Sequence, residues 1–162
     1  MEQKDYRRAL GSFPTGVTIV TAFDKECKPW GLTANSFTSV SLDPPVISVC
    51  IAKTGRAFTT LASASRFAVN ILAADQQDLA MRFASKVENR FDGINWLADP
   101  EGAPLLPGVS AQLDCSVRAR IDVEDHEILL GLVENYTYHS VAPLVYCRGN
   151  FFAAPQPEVT ND

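Results

Sequence analysis

The segment LDCSVRARIDVE at residues 113–124 alternates between apolar and polar side chains without interruption. Its apolar members are Leu113, Cys115, Val117, Ala119, Ile121 and Val123. Successive side chains of a β-strand point to opposite faces of a sheet, so a period of two predicts a strand with one face on a core and the other in water. The pattern favours a protein built mainly from β-structure.

Working outward from this segment, five more stretches are predicted to be strands: 126–138, 143–152, 46–52, 31–42 and 16–23. The run VISVCIA at 46–52 is continuously apolar, as expected for a strand buried on both faces. The stretch 31–42 stops at Asp43-Pro44-Pro45, because a proline pair cannot donate hydrogen bonds to a ladder. The remaining segments carry the β-branched and aromatic residues that strands favour.

Helices are few and short. They are predicted at residues 3–11, 55–64 and 76–85, the last with Asp75 as its N-cap. Six or seven strands with two or three helices predict a closed or nearly closed barrel with helices packed outside, a mainly β or α+β fold. Residues 1–154 are expected to form a single domain, and the polar, proline-containing residues 155–162 a flexible tail.

Composition excludes several classes of protein. The 162 residues are 46% hydrophobic and 20% charged, which is typical of a globular chain and not of a disordered or fibrous one. A net charge of −5 argues against a nucleic-acid partner, and no apolar run is long enough to cross a membrane. Four scattered cysteines and two histidines argue against a metal site. We expect a soluble, cytoplasmic protein in which any two large substrates share one site.

The segment Lys53-Thr54-Gly55-Arg56 is a candidate phosphate site. It lies between a predicted buried strand and a predicted helix, where backbone N–H groups, a hydroxyl and two cations could converge on an anion. The alternative is a solvated turn in which Thr54 only caps the helix. Neither a dinucleotide-binding G-x-G-x-x-G nor a P-loop sequence is present.

A second candidate is the strand that carries Thr33, Asn35 and Ser36, followed by Ser39, Val40 and Ser41. Small residues let a flat ligand approach the backbone, and an asparagine amide offers both a donor and an acceptor to a ring with carbonyl and imide groups. The alternative is an edge strand whose hydroxyls face water.

Other candidates are isolated. His126 lies among acidic neighbours and could contact a ligand or donate a proton, although a surface turn would also explain it. Phe83 fits a core position, with Arg82 and Arg90 solvated beside it. No Ser/His/Asp order or H-E-x-x-H pair is present, so hydrolysis and metal chemistry have no residue set.

Taken in order, several motifs resemble one family. They are Phe13-Pro14-Thr15-Gly16-Val17, Gly31-Leu32-Thr33-Ala34-Asn35-Ser36-Phe37, Ser39-Val40-Ser41-Leu42-Asp43-Pro44-Pro45, Phe67-Ala68-Val69-Asn70-Ile71-Leu72, Phe83, Arg90-Phe91 and Asp125-His126. Their order and spacing, from about residue 5 to residue 153, resemble the short-chain flavin reductases, the reductase components of two-component flavin-dependent monooxygenases. The family often has glycine before the Asp-His pair, where this chain has Glu124.

The resemblance implies a split β-barrel of the FMN-binding type, a homodimer, and an NAD(P)H-dependent flavin reductase. Such an enzyme reduces FMN or FAD with a hydride from NADH or NADPH and supplies the reduced flavin to a partner monooxygenase. The alternatives are a flavin- or haem-binding carrier or sensor without turnover, and an oxidase that retains its flavin and has its own organic substrate. The sequence does not decide between the two flavins or the two nicotinamides.

The resemblance also implies roles for particular residues. Thr33, Asn35 and Ser36 would meet the isoalloxazine and ribityl groups, and Ser39, Val40 and Ser41 would line the same strand face. Ala52, Lys53 and Thr54 would hold the flavin phosphate with the help of Arg56. Phe83 and Arg90 would lie at the rim of the pocket, and His126 would act at the nicotinamide.

Overall fold

The computed structural model describes residues 2–98 and 102–155, and the predicted tail at 155–162 falls outside them apart from Pro155. The described residues form ten strands and three short helices. The strands are β1 (Thr15–Gly16), β2 (Thr18–Phe23), β3 (Pro29–Ala34), β4 (Thr38–Leu42), β5 (Pro45–Ala52), β6 (Arg66–Ile71), β7 (Ala111–Val123), β8 (His126–Tyr138), β9 (Leu144–Cys147) and β10 (Asn150–Ala153). The helices are α1 (Gln3–Leu10), α2 (Phe58–Ser63) and α3 (Gln77–Ala84). The predicted mainly β fold with a few short helices is confirmed.

Two antiparallel sheets make up the fold. The larger has seven strands in the order β3-β2-β6-β7-β8-β5-β4, and the smaller has three in the order β1-β9-β10. The hairpin of β7 and β8, thirteen residues in each strand, is central to the larger sheet. The alternating segment at 113–124 is therefore the strand that the sequence predicted.

The larger sheet must curl strongly. Its edge strands β3 and β4 are joined by residues 35–37 alone, a connection that spans at most about 14 Å. Seven strands laid flat would separate the same edges by roughly 29 Å. The extended segment predicted at 31–42 therefore leaves one edge of the sheet and joins the other. The sheet is not closed by hydrogen bonds, so the predicted barrel is a split one, open between β3 and β4.

Some boundaries differ from the prediction. The stretch predicted at 143–152 is two strands, because Arg148 and Gly149 turn the chain with positive φ angles of 49° and 82°. The helix predicted from residue 55 begins at Phe58. Asp75 is not the N-cap of α3: that position is Gln76, and its side chain makes no capping hydrogen bond. Ten strands replace the six or seven expected, since β1 and β6 were not recognised and two predicted strands divide.

The burial of β7 changes along its length. Cys115 is fully buried, and Leu113 and Val117 pack against the same core cluster around Phe67. Beyond Ser116, strand β6 no longer pairs with β7, and the apolar side chains of the far end are exposed. The alternation thus predicts strand β7 correctly, but the apolar face of the strand is covered only in its first half. Across the described residues, no helix is long and apolar enough to cross a membrane.

Candidate functional site

A cleft of about 350 Å³ lies beside the split in the barrel. It is formed by the end of β3, the connection to β4, the end of β5 with its following turn, α3 and the start of β8. Its lining residues are Leu32, Thr33, Ala34, Asn35, Ser36, Cys50, Ala52, Gly55, Arg56, Ala57, Phe83, Ala84, Arg90 and His126. Eight of the thirteen residues predicted for the site therefore meet in one cleft.

The connection at 35–37 is held against β5 by one hydroxyl. Ser36 Oγ accepts a hydrogen bond from the Cys50 N–H at 2.9 Å and donates to the Cys50 carbonyl at 3.1 Å. The neighbouring Asn35 is exposed, and its amide bonds to no other group in the part of the chain that the structure describes. Ser36 thus fixes the backbone while Asn35 presents a free donor and acceptor to the cleft.

Helix α3 is fastened to β3 beneath the cleft. Thr33 Oγ1 donates to the Ala80 carbonyl at 2.6 Å, so this hydroxyl serves the fold. Phe83 is fully buried, and its ring packs edge-on against Phe91 with centroids 5.0 Å apart. A Cβ at Gly31 would lie 2.9 Å from the Phe83 ring, so only glycine allows this close approach of helix and strand. Phe83 therefore supports the cleft from below.

Arg82, in the last turn of α3, and Arg90, in the loop after it, are both hydrogen-bonded to the backbone. The sequence had suggested that the two arginines are only solvated. Arg82 Nε donates to the Arg90 carbonyl at 2.7 Å and shapes the loop. Arg90 donates to the Gly31 carbonyl at 2.8 Å and to the Ser85 carbonyl at 2.6 Å. Burial, followed by the charge of Arg56, lowers the pKa of Arg90. Arg56 and Arg90 both line the cleft, so two positive charges face it, an arrangement that an anion would stabilise.

Only some of the residues predicted to bind the flavin phosphate, all in the turn at 52–57, line the cleft. Ala52 and Arg56 line the cleft, together with Gly55 and Ala57, which the sequence interpretation missed. Thr54 is exposed outside the cleft lining. Lys53 is drawn away from it, since its Nζ donates to Asp122 Oδ1 at 2.7 Å and to the Glu124 carbonyl.

The turn nevertheless keeps free donors. Among the described residues, the backbone N–H groups of Thr54, Arg56 and Ala57 have no hydrogen-bond acceptor. The missed members Gly55 and Ala57 flank Arg56, and their small size is the signal that could have identified them, because small residues leave backbone groups accessible to a ligand.

His126 lies beside the turn at 52–57, at the start of β8. It pairs with Ala52 across the sheet, and its Nδ1 is 2.7 Å from Asp125 Oδ1. That hydrogen bond, followed by the charge interaction with His126, lowers the pKa of Asp125. The Asp125 carboxylate holds the imidazole in one orientation. Glu124 adopts a φ of 50° in the turn, a left-handed conformation that glycine would adopt without strain.

Ser39, Val40 and Ser41 are not brought to the cleft. They lie on β4, which pairs only with β5 and so forms one edge of the sheet. Ser39 and Val40 are exposed, as the edge-strand alternative for this segment describes. Cys50, in contrast, lines the cleft and was not predicted, because its apolar context indicated a buried core position.

A larger groove adjoins the cleft. It has a volume of about 1330 Å³ and lies between α1 and the turn that joins β9 to β10. Asn35 lines both the groove and the cleft, so the two adjoin at this residue.

A curled sheet with a polar cleft at its split defines a split β-barrel, and solved split barrels of flavin reductases share this architecture. The model of the flavin reductase like domain matches residues 10–155, and the chain belongs to that family.

Relatives carry the resemblance across nearly the whole chain. The chain is 44% identical over 147 residues to the stachydrine N-demethylase reductase subunit Stc3 of Rhizobium meliloti, covering 91% of this chain and 64% of that protein. It is 40% identical over 148 residues to the FMN reductase (NADH) SmoA of Agrobacterium fabrum, covering 91% and 84%. The solved NADH:FAD oxidoreductase SgcE6 of Streptomyces globisporus, in complex with NAD and FAD fragments, has a TM-score of 0.89 at 37% identity, covering 98% of this chain and 95% of that one. The chain spans only 64%, 47% and 48% of the length of the first three curated relatives.

Proposed function

We propose that this protein is an NAD(P)H:flavin oxidoreductase that reduces FMN or FAD and supplies the reduced flavin to a separate monooxygenase. The observation that carries the proposal is the cleft at the split, where a free asparagine amide, unpaired backbone donors and an arginine pair meet in a chain of this family. The cleft is within the size range of ligand sites for small molecules and cofactors.

The donor set of the cleft fits a flavin. Asn35 offers one acceptor and two hydrogen donors to the carbonyl and imide edge of the ring, and Ser36 holds that segment in place. Small side chains at Ala34, Ala52 and Ala84 leave room for a flat ring system. Thr33 would support this wall through α3 instead of binding the flavin by its hydroxyl.

The turn at 52–57 fits the phosphate of the flavin. Unpaired N–H groups in a turn form a concave anion site, and the guanidinium of Arg56 adds charge to it. Arg90 lies near Arg56 and contributes to the same positive potential. Thr54 would act through its free backbone N–H. Lys53 has no free donor for this role in the structure, because its N–H donates to the Asp125 carbonyl and its ammonium is bonded to Asp122.

When bound, the flavin supplies the chemistry that accepts a hydride from the nicotinamide. The chain's own residues align the two rings and exclude water, and hydride transfer itself requires no acid or base from the protein. His126 lies at the cleft with its Nδ1 held by Asp125, which suits a contact to the nicotinamide half of NAD(P)H.

The proposal of a partner monooxygenase is supported by the relatives, several of which are reductase components of flavin-dependent monooxygenases. We also propose that the protein acts as a homodimer in the cytoplasm, as the sequence predicted.

The test is a steady-state assay that crosses FMN and FAD with NADH and NADPH. We expect nicotinamide oxidation that depends on added flavin, and reduced flavin that supports a flavin-dependent monooxygenase in a coupled reaction. No oxidation in any of the four combinations would contradict the proposal. A protein that keeps a coloured cofactor through purification but turns over neither nicotinamide would instead be a carrier.

A further inference from the structure

A shallow crevice lies beside the cleft and shares two cations with it. Arg56 and Arg90 line both the crevice and the cleft. The other residues of the crevice are Lys28, Pro29, Trp30, Gly31, Val87, Glu88, Asn89 and Phe91. Because Arg56 belongs to the turn at 52–57, the crevice begins where the proposed phosphate site of the cleft ends.

Trp30 gives the crevice an aromatic surface that is already held in place. Its half-buried indole donates from Nε1 to Asp24 Oδ2 at 2.8 Å, and Asp24 Oδ1 accepts from the Lys28 N–H at 2.9 Å. These hydrogen bonds, that of the Lys28 N–H first, lower the pKa of Asp24. The carboxylate therefore fixes the orientation of the indole before a ligand arrives.

Positive charge borders the aromatic ring. The exposed Lys28 has its Nζ 5.4 Å from the centroid of the Trp30 ring. Arg90 is fixed beside the same strand, since it donates to the Gly31 carbonyl at 2.8 Å. With Arg56, three cations line the crevice, against the single carboxylate of Glu88 among the described residues. Such a border favours an anionic group next to the ring.

Free polar groups lie on the other side of the crevice. The side chains of Glu88 and Asn89 are exposed, and within the described part of the chain no hydrogen bond or ion pair engages either one. A carboxylate accepts hydrogen bonds, and an asparagine amide pairs with the amino group and ring nitrogen of adenine. Val87, 48% exposed, adds an apolar contact for a base.

We propose that this crevice binds the adenosine half of FAD, with Trp30 as the stacking surface for adenine, so that the protein selects FAD over FMN. FMN ends at its phosphate, whereas FAD continues through a second phosphate and a ribose to adenine. The two shared arginines and Lys28 hold the second phosphate, and Glu88 and Asn89 meet the edge of the base. The inference rests on the proposed function and names the flavin that its site prefers.

Fluorescence titration with FMN and FAD tests the role of Trp30. The natural protein should bind FAD about tenfold more tightly than FMN, as expected for one base stacked on an aromatic side chain. Trp30→Leu keeps an apolar side chain but removes the aromatic face, so it should abolish this preference and leave the Kd for FMN unchanged. Trp30→Phe should retain most of the preference. The matched control Trp96→Leu alters a tryptophan outside the crevice and should change neither Kd.

Lys28 provides a second test at an exposed position where folding is not at risk. Lys28→Gln should raise the Kd for FAD about threefold, since it removes one charged donor to the second phosphate, and should leave the Kd for FMN unchanged. Lys25→Gln, an exposed lysine outside the crevice, is the control and should alter neither value.

Equal affinity of the natural protein for the two flavins would overturn the inference and leave the proposed reductase intact. A loss of FMN and FAD affinity by the same factor in Trp30→Leu would also overturn it, because Trp30 would then only support the neighbouring phosphate site. Binding of neither flavin would contradict the proposed function and the inference together. Selective binding of FAD without nicotinamide oxidation would confirm the crevice and contradict the reductase, so the two failures are distinguishable.

Discussion

The two walls of the cleft use similar residues in opposite ways. On the wall made by β3, α3 and the loop after it, Thr33 and Arg90 donate to backbone carbonyls and Phe83 is fully buried. On the wall made by residues 35–37, the turn at 52–57 and the start of β8, the Asn35 amide and several backbone N–H groups have no acceptor among the described residues. The first wall holds the shape of the cleft, and the second presents groups to a ligand.

This difference separates stability from binding. A buried polar group that loses its partner destabilises the fold, whereas an exposed free group can be removed with little effect on folding. Substitutions in the first wall should therefore change the free energy of unfolding, and those in the second should change ligand affinity.

The largest effect is expected at Phe83. Phe83→Ala removes a fully buried ring that packs against Phe91 and Gly31, and it should lower the free energy of unfolding by about 3–5 kcal/mol. Urea denaturation measures the change. The control Phe13→Ala, at an exposed position, should stay within about 0.5 kcal/mol of the natural protein. Equal losses in both variants would contradict the assignment of Phe83 to the supporting wall.

Arg56 should give the clearest binding effect. Arg56→Gln removes a charge from the proposed phosphate site and should weaken FMN binding about tenfold. Riboflavin lacks the phosphate and should bind both proteins equally, as measured by fluorescence titration. If riboflavin binding fell as much as FMN binding, Arg56 would not recognise the phosphate.

A matched pair compares the two walls directly. Thr33→Val keeps the size of the side chain but leaves the Ala80 carbonyl without its donor, which should cost about 1 kcal/mol of unfolding free energy. Asn35→Ala should leave stability unchanged and weaken flavin binding several-fold. Thermal denaturation and flavin titration of both variants give the comparison, and it fails if the two effects are exchanged.

His126 should affect the second substrate alone. His126→Ala should raise the KM for the nicotinamide about threefold, the size expected for one hydrogen bond, while the flavin KM stays constant. Steady-state kinetics at saturating flavin measure the change. Unaltered constants for both substrates would place His126 outside the working site.

The smallest effect concerns the titration of Asp125. Its pKa is lowered from the ordinary 3.8 chiefly by the hydrogen bond to His126, so its contribution to stability is present above the unfolded pKa and is lost as the pH falls through the folded pKa. An NMR titration should find the carboxyl midpoint below 3.8 in the natural protein and closer to that value in His126→Ala. Identical midpoints would mean that the pair does not form.

The sequence predicted local structure better than it predicted which edges of the sheet meet. The alternation at 113–124 is a property of one segment, so it identified β7 directly. The split depends on β3 and β4 joining opposite edges of a seven-stranded sheet, which no single segment encodes.

The prediction of the site residues was limited in the same way, because a sequence pattern does not show which distant segments come together. Local sequence predicted Lys53 as a phosphate ligand. In the structure its ammonium is bonded to Asp122, which is 2.7 Å away but sixty-nine residues distant in the sequence, and no local motif could show this. Ser39 and Val40 share a segment with Asn35, but the step from one sheet edge to the other leaves them outside the cleft. The sequence predicted Asn35, Ser36 and Arg56 correctly because each lies in a continuous stretch of the chain that lines the cleft, so a local motif was enough to identify it.

The three-residue connection at 35–37 links ligand occupancy to the integrity of the barrel. This connection joins both edges of the sheet and carries Asn35. A ligand bound to Asn35 would therefore also oppose the opening of the split. At a flavin concentration about a hundred times its Kd, linkage adds about 2.7 kcal/mol to the native state. If the protein releases its flavin as proposed, the barrel is least stable after each release, and the residues of this connection would influence both the rate of flavin exchange and the lifetime of the fold.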